Sequence, residues 1–470
     1  MRTPLAPLLA AVAVVVVAWA LLVPPFQVPD EAGHFSYVQS LVENGERPVA
    51  GPAWGGPPRY SSEQRWALTL SGALHSYGDT RLKPVWDEQT EDGWERVHDE
   101  LRPDRGDIAA AGAQARHSPL YYGYEAVPYA AASGGDLFDR LYLMRLWSGV
   151  LMLVTTLGAW LLVGELTGRD RLLQLAGAAC VGLQPMATFV SAGVNPDAAL
   201  FAASSVSLWL GVRILRRGPT RAAVAGLLAA TALAAFAKAA GLALLPGVLL
   251  VLVVAARRRG VTARRWAPLA VGASAAVALA ALLAQRELGR LVPHDGGLGD
   301  AKGFASYLWQ FYLPKLPFQE SFDGLGEWPL WHVWHKTSWG AFGQLEVEFP
   351  DAAYGVFAVV ALAVAAAAVA AMVRGRVGAD RAVAAFFGLF AVVLLLGLHW
   401  VEFRSLGRLE DSTNQGRYLL PLMPIVGVAV AAALTNLPRP RRAIGAGVVL
   451  AGMVALQLLS LATVAGRFYA

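Results

Sequence analysis

Residues 5–23 read LAPLLAAVAVVVVAWALLV, and residues 24–34, PPFQVPDEAGH, follow directly. The first stretch carries no charge, and at about 1.5 Å per helical residue it can cross a hydrocarbon layer roughly 30 Å thick. The second places two carboxylates, Asp30 and Glu31, just past the end of the apolar run. Carboxylates beside a lipid core are costly to desolvate, so an acidic pair there marks a functional site by default. The pair also opens a long polar stretch in which a lipid-linked substrate would be met outside the membrane. Ala18-Trp19-Ala20 resembles a signal-peptide cleavage site, but Leu21-Leu22-Val23 prolong the apolar run, so an uncleaved anchor is expected.

The rest of the chain repeats this pattern. Of its 470 residues 56% are hydrophobic and only 16% charged, too few to cover a soluble protein of that size. Apolar runs alternating with short arginine-rich stretches predict an all-α, polytopic integral membrane bundle; a membrane β-barrel would show short alternating strands instead. Spans are expected near 5–23, 141–164, 171–191, 196–215, 221–237, 240–256, 266–284, 352–373, 382–400, 418–435 and 443–464, about eleven crossings in one transmembrane domain over 1–470. Alternate connections carry Arg169 and Arg171; Arg213, Arg216, Arg217 and Arg221; Arg257, Arg258, Arg259, Arg264 and Arg265; Arg374, Arg376 and Arg381; and Arg439, Arg441 and Arg442. The positive-inside rule puts these and the N-terminus on the cytoplasmic side. The complementary loops, 24–140, 286–351 and 401–417, then lie outside, and the tryptophans of the first (Trp54, Trp66, Trp86, Trp94) suggest a folded cap with in-plane helices. The net charge of +5 resides in the arginine loops, which argues against a nucleic-acid partner, and the lone Cys180 leaves no intramolecular disulfide.

Several outer segments carry candidate chemistry. Pro29 suits the first turn of a helix, and Asp30 and Glu31 its positive end. In such a helix Asp30, His34 and Tyr37 share one face. A carboxylate so placed can draw a proton from an acceptor hydroxyl or hold a divalent cation against a phosphate; the acids can also do no more than complement the helix dipole. His117-Ser118-Pro119-Leu120-Tyr121-Tyr122 has the composition of a polar pocket wall, and equally of an aromatic belt. In Asn195-Pro196-Asp197, N-capping accounts for all three residues, with substrate contact the rival reading. Lys238 is the one charge between Ala222 and Ala256, placed either to snorkel to headgroups or to grip a phosphate. In Gln415-Gly416-Arg417-Tyr418 a guanidinium offers a planar fork for phosphate oxygens. His332 and His335, with Glu327 and Glu346 in the same loop, are an unspecific metal signal, and a polar loop is expected there. No phosphate-binding P-loop, dinucleotide fingerprint or nucleophile elbow occurs, which argues against a cytosolic nucleotide-sugar enzyme.

Taken in order, the segments Pro24–His34, His117–Tyr122, Asn195–Asp197, that around Lys238, and Gln415–Pro421 resemble a family of bacterial multi-pass membrane proteins of the glycosyltransferase C (GT-C) superfamily. Ser118, between His117 and Pro119, departs from the family pattern. The resemblance implies a GT-C-like bundle with a large first extracytoplasmic loop. It implies inverting transfer of a sugar from a polyprenyl-phosphate donor to a glycan or lipid acceptor of the cell envelope. By the same resemblance Asp30, with Glu31 beside it, is the catalytic acid pair, and Lys238 and Arg417 hold the donor phosphate. His34, His117, Tyr121, Asn195, Asp197, Gln415 and Tyr418 are expected in the substrate pocket. No cofactor is certain; a divalent cation, if used, would sit on Asp30 or Glu31. The alternative is a transporter or flippase of lipid-linked saccharides, which would need charges deep within several spans; a non-enzymatic envelope assembly partner would leave the acidic pair idle.

Overall fold

The computed structural model describes residues 4–48, 60–84, 87–108, 112–258, 272, 274, 275, 277–280, 301–322, 325–406 and 414–470. The architecture is all-α, and the one sheet among the described residues pairs Ala341–Phe342 with Val347–Glu348. Helix α1 is Leu5–Leu22, α2 Glu31–Glu43, α3 Ser62–Leu70, α4 Ala73–Gly78, α5 Glu88–Arg96 and α6 Pro119–Ala131. Then come α7 Leu137–Leu166, α8 Arg171–Gly182, α9 Pro185–Ser191, α10 Asp197–Arg217, α11 Arg221–Ala237 and α12 Leu245–Arg258. The remainder are α13 Ala301–Tyr312, α14 Thr337–Trp339, α15 Asp351–Val373, α16 Arg381–Ser405, α17 Met423–Leu434 and α18 Arg439–Tyr469.

Among the described residues eight stretches are long and apolar enough to cross a bilayer: α1, α7, α10, Ala239–Arg258, α15, α16, Gly416–Leu434 and α18. A ninth is the pair α8 and α9, bent by 58°. Two of the eleven expected spans take another form, and a third lies largely outside the described residues. The run 171–191 is broken at Gln184-Pro185, where Pro185 starts α9 and the Gln184 side chain caps the Ala187 amide. The run 221–237 is a helix of 17 residues, short for a crossing. It ends at Lys238 in extended backbone, and a 3₁₀ turn, Ala239–Leu244, folds back so tightly that a Cβ on Gly241 would lie 2.2 Å from the Ala234 backbone. The run 266–284 lies largely outside the described residues, as do Trp54, Trp86, Arg259, Arg264 and Arg265.

Packing is by small residues, as in other bilayer bundles. Gly177 of α8 and Gly427 of α17 meet backbone to backbone, a Cβ on either falling 2.6 Å from the carbonyl oxygen of the other. The arginine loops gather at one end: Arg216 donates to the Gly378 carbonyl at 2.6 Å, Gly378 to that of Leu166, and Arg376 to that of Thr435, while Arg442 lies 3.8 Å from Asp170. The opposite end collects the C-terminus of α1 and the N-termini of α10, Ala239–Arg258 and Gly416–Leu434. Over that end α2 to α6 pack through Phe35, Tyr37, Leu68, Trp94, Tyr122 and Tyr129. Beneath them Arg140 of α7 binds the buried Glu63.

Candidate functional site

The site begins where α1 stops. Pro24 and Pro25 cannot continue the helix, so the last carbonyls of α1 need partners from elsewhere. Arg145, fully buried on α7, supplies them: Nη1 donates to Ala20 and Val23 at 3.1 and 2.7 Å, and Nη2 to Pro24 at 2.9 Å. The same guanidinium grips Glu31 through two bonds of 2.8 and 2.6 Å, and the Val194 amide adds a third to Glu31 Oε1 at 3.2 Å. Glu31 is 0% exposed with both oxygens engaged, which ties the start of α2 to α7 and to the end of α1.

Asp30 is held differently. It precedes α2 in left-handed backbone (φ 65°) and makes no capping bond. A non-glycine residue in that conformation is strained by roughly 1 kcal/mol; Asn195 Nδ2 on the Pro29 carbonyl (3.1 Å) and the Glu31–Arg145 pair hold it there. The dipole-complementing reading is thereby displaced: the carboxylate points away from the α2 amides, to Arg417 Nη2 at 2.7 Å and Gln114 Nε2 at 3.3 Å. Its side chain remains 44% exposed.

A second carboxylate lies on the other side of Arg417. Asp197, 1% exposed, accepts from Lys238 Nζ at 2.7 Å and stands 3.8 Å from Arg417 Nε. Lys238 also lies 4.5 Å over the Tyr418 ring, so it is engaged in the cluster and does not snorkel. Arg417 is 2% exposed, and its Nε and Nη1 have no hydrogen-bond partner. Its loop is set by a close approach: the Gly416 amide donates to Thr337 Oγ1 at 2.6 Å, and a Cβ on Gly416 would fall 2.3 Å from the Ser338 amide nitrogen. Gly416→Ala is therefore expected to cost about 1–3 kcal/mol through overpacking against backbone, read as a lower thermal midpoint in detergent.

Burial acts most strongly and raises the Asp30 carboxyl, but the charges of Arg417, protonated His34 and Lys238, with the Arg417 hydrogen bond, together outweigh it and bring it down to about 2. His34 adds to this only when protonated, and burial holds its imidazole well below the usual histidine range. The neutral ring meets Tyr122 Oη through Nδ1 at 2.9 Å and lies 5.9 Å from the His117 ring.

The other sequence candidates divide. His34, His117, Asp197 and Tyr418 fall around Asp30, Lys238 and Arg417. Asn195 turns the chain into α10, its Oδ1 accepting from the Asp197 amide at 3.0 Å, while Pro196 and not Asn195 is the N-cap and no side chain caps the helix. Tyr121 turns away to Ser148 Oγ at 3.0 Å, and its neighbour Tyr122 takes the pocket position. Gln415 is half-buried beside Arg417, with Oε1 unpartnered. Two residues escaped sequence reasoning. Arg145 was visible as a charge inside an apolar span, itself a functional signal; Gln114 carried none.

The sequence pattern of the family described as "Predicted membrane protein (DUF2142)" matches residues 13–426. The chain belongs to this family. The matched DUF2142 region contains Asp30, Asp197, Lys238 and Arg417. No curated protein matches the chain. Among solved structures it is similar to ArnT from Cupriavidus metallidurans bound to undecaprenyl phosphate, at 15% identity over 99% of this chain and 75% of that one, with a TM-score of 0.45.

Two further features define what this DUF2142 site can hold. Among its described residues no group of three or more His, Cys, Asp or Glu side chains is placed to ligate a metal. His335 instead bonds the Tyr354 carbonyl at 2.9 Å, and Asp30 and Asp197 already face the cations of Arg417 and Lys238. An apolar groove of about 310 Å³ runs between α6, α7, α10 and α11, lined by Tyr121, Val154, Ala203 and Leu233 and reaching Ala237, the residue before Lys238 in the chain.

Proposed function

We propose that the chain is an inverting membrane glycosyltransferase that moves a sugar from a polyprenyl-phosphate donor to a hydroxyl of an envelope glycan or lipid outside the cytoplasmic membrane. The observation that carries this reading is the buried Arg417, with two unpartnered donors, set between an open carboxylate at 2.7 Å and the Asp197–Lys238 pair. Buried donors without partners are costly unless a ligand satisfies them, and a phosphate matches a guanidinium fork beside an ammonium. The apolar groove ending at Ala237 suits an isoprenoid tail whose headgroup would lie at Lys238. Orientation rests on the arginine loops collecting at the far end, which by the positive-inside rule is cytoplasmic.

In this mechanism the acceptor oxygen attacks the anomeric carbon from the face opposite the phosphate. The new carbon–oxygen bond forms as the anomeric carbon–phosphate oxygen bond breaks, and polyprenyl phosphate leaves with the electron pair. Asp30 takes the acceptor proton, and Arg417 and Lys238 stabilise the charge growing on the phosphate. The step is written with these side chains alone.

The test is the full chain in proteoliposomes with a radiolabelled polyprenyl-phosphate sugar and a hydroxyl acceptor. Labelled acceptor supports the proposal. Movement of the donor across the vesicle without transfer overturns it in favour of a flippase, and neither event overturns both. Within the same assay Lys238→Gln removes one charged contact to the phosphate and is expected to lower kcat/KM for the donor about 10–100-fold.

A further inference from the structure

The charged cluster is closed on itself, and the two halves of the closure are not alike. On one side Asp197 is 1% exposed and holds Lys238 at 2.7 Å, in a buried pair at the start of α10. On the other, Arg417 Nη2 reaches 2.7 Å to a carboxylate that is 44% exposed and otherwise touched by Gln114 at 3.3 Å. The guanidinium between them is 2% exposed, and Nε and Nη1 lack hydrogen bonds. Asp30 is thus the counter-ion of Arg417 while no ligand is bound, and the exposed half of the cluster is the weaker one, because water screens it. A phosphate entering beside Lys238 would meet a guanidinium still engaged with the carboxylate expected to work as base.

We propose that Arg417 is a partner-exchanging latch: in the empty site it occupies Asp30, and the donor phosphate draws it away, so that the base is released only when the donor is in place. The inference rests on the proposed donor reading of this site and adds its regulation. The carboxylate and the phosphate compete for one guanidinium, so the empty protein binds phosphate more weakly than the same pocket without Asp30. Asp197, buried and paired with Lys238 at 2.7 Å, stays with it throughout and keeps the two cations in register.

Binding without turnover tests this. A short-chain isoprenyl phosphate, which carries no sugar and cannot react, is titrated into the full-length protein in detergent, as wild type, Asp30→Asn, Asp30→Ala and Lys238→Gln. If the latch is closed about nine-tenths of the time, removing its carboxylate tightens the apparent Kd about tenfold. Both Asp30 variants should therefore bind more tightly than wild type, while Lys238→Gln binds more weakly. Because Asn keeps the size and polarity of Asp30 and Ala keeps neither, agreement between the two excludes a change in shape. Equal or weaker binding by folded Asp30 variants, with wild type binding, overturns the latch and leaves the donor reading standing. No binding by any of the four proteins overturns the donor reading and the latch together.

Discussion

Asp30→Asn is expected to lower sugar transfer about 10²–10⁴-fold, the range lost when a positioned general base is removed. The asparagine still reaches Gln114 and Arg417 as a neutral acceptor, so the bundle should remain folded and its detergent elution unchanged. The loss should appear in kcat with saturating donor, because Asp30 acts on the acceptor proton and its removal does not weaken donor binding. A pH signature accompanies it. The Asp30 carboxyl is depressed to about 2 in the fold, below its ordinary value of 3.8. A group depressed in this sense stabilises the fold fully above its unfolded value and ceases to do so as the pH falls through its folded value. Wild type should therefore lose stability between about pH 4 and pH 2 more steeply than Asp30→Asn, as read by unfolding midpoints in detergent. Unaltered transfer by the variant would remove Asp30 from the reaction.

Arg145→Met is expected to have the largest effect on stability, because it strips one partner from a buried pair and leaves the other charged. Such disruptions cost about 3–5 kcal/mol. Here the loss extends further, since the same guanidinium serves the Ala20, Val23 and Pro24 carbonyls at the end of α1. Glu31→Gln keeps the size of the side chain and most of its contacts, and Glu31→Gln with Arg145→Met removes both charges together. The double variant should recover part of the stability lost in the single one, by a positive coupling in a double-mutant cycle. Glu31→Gln should also retain transfer activity that Asp30→Asn lacks. Equal loss of activity in the two would return Glu31 to the chemistry.

These opposite fates mark where reading the chain in one dimension stops being sufficient. Asp30 and Glu31 are adjacent, identical in charge class, and equally close to the end of α1. Asp30 stands in left-handed backbone ahead of α2 and Glu31 is the first helical residue, which sends one carboxylate toward Gln114 and Arg417 and the other inward to α7. The cluster itself draws on Asp30, Asp197, Lys238 and Arg417, the outermost 387 positions apart. Sequence order and residue type nominated each of them, and none of their pairings. The histidine–tyrosine segment shows the same limit: its two tyrosines look equivalent, and α6 turns Tyr122 toward His34 and Tyr121 toward Ser148.

What lipid imposes is legible locally. The cost of leaving backbone unbonded or charge exposed in hydrocarbon acts on each segment by itself, so α1, the arginine loops at one end and the polar first loop follow from composition along the chain. The break at Gln184-Pro185 is a local matter too, of a missing amide hydrogen. Which of two neighbouring acids stays open, and which cation it faces while the site is empty, is settled by side chains that arrive from distant helices. Ion pairing falls off over a few ångströms, and only the packed bundle brings Arg145, Arg417, Lys238 and Asp197 within that range of the α1–α2 turn.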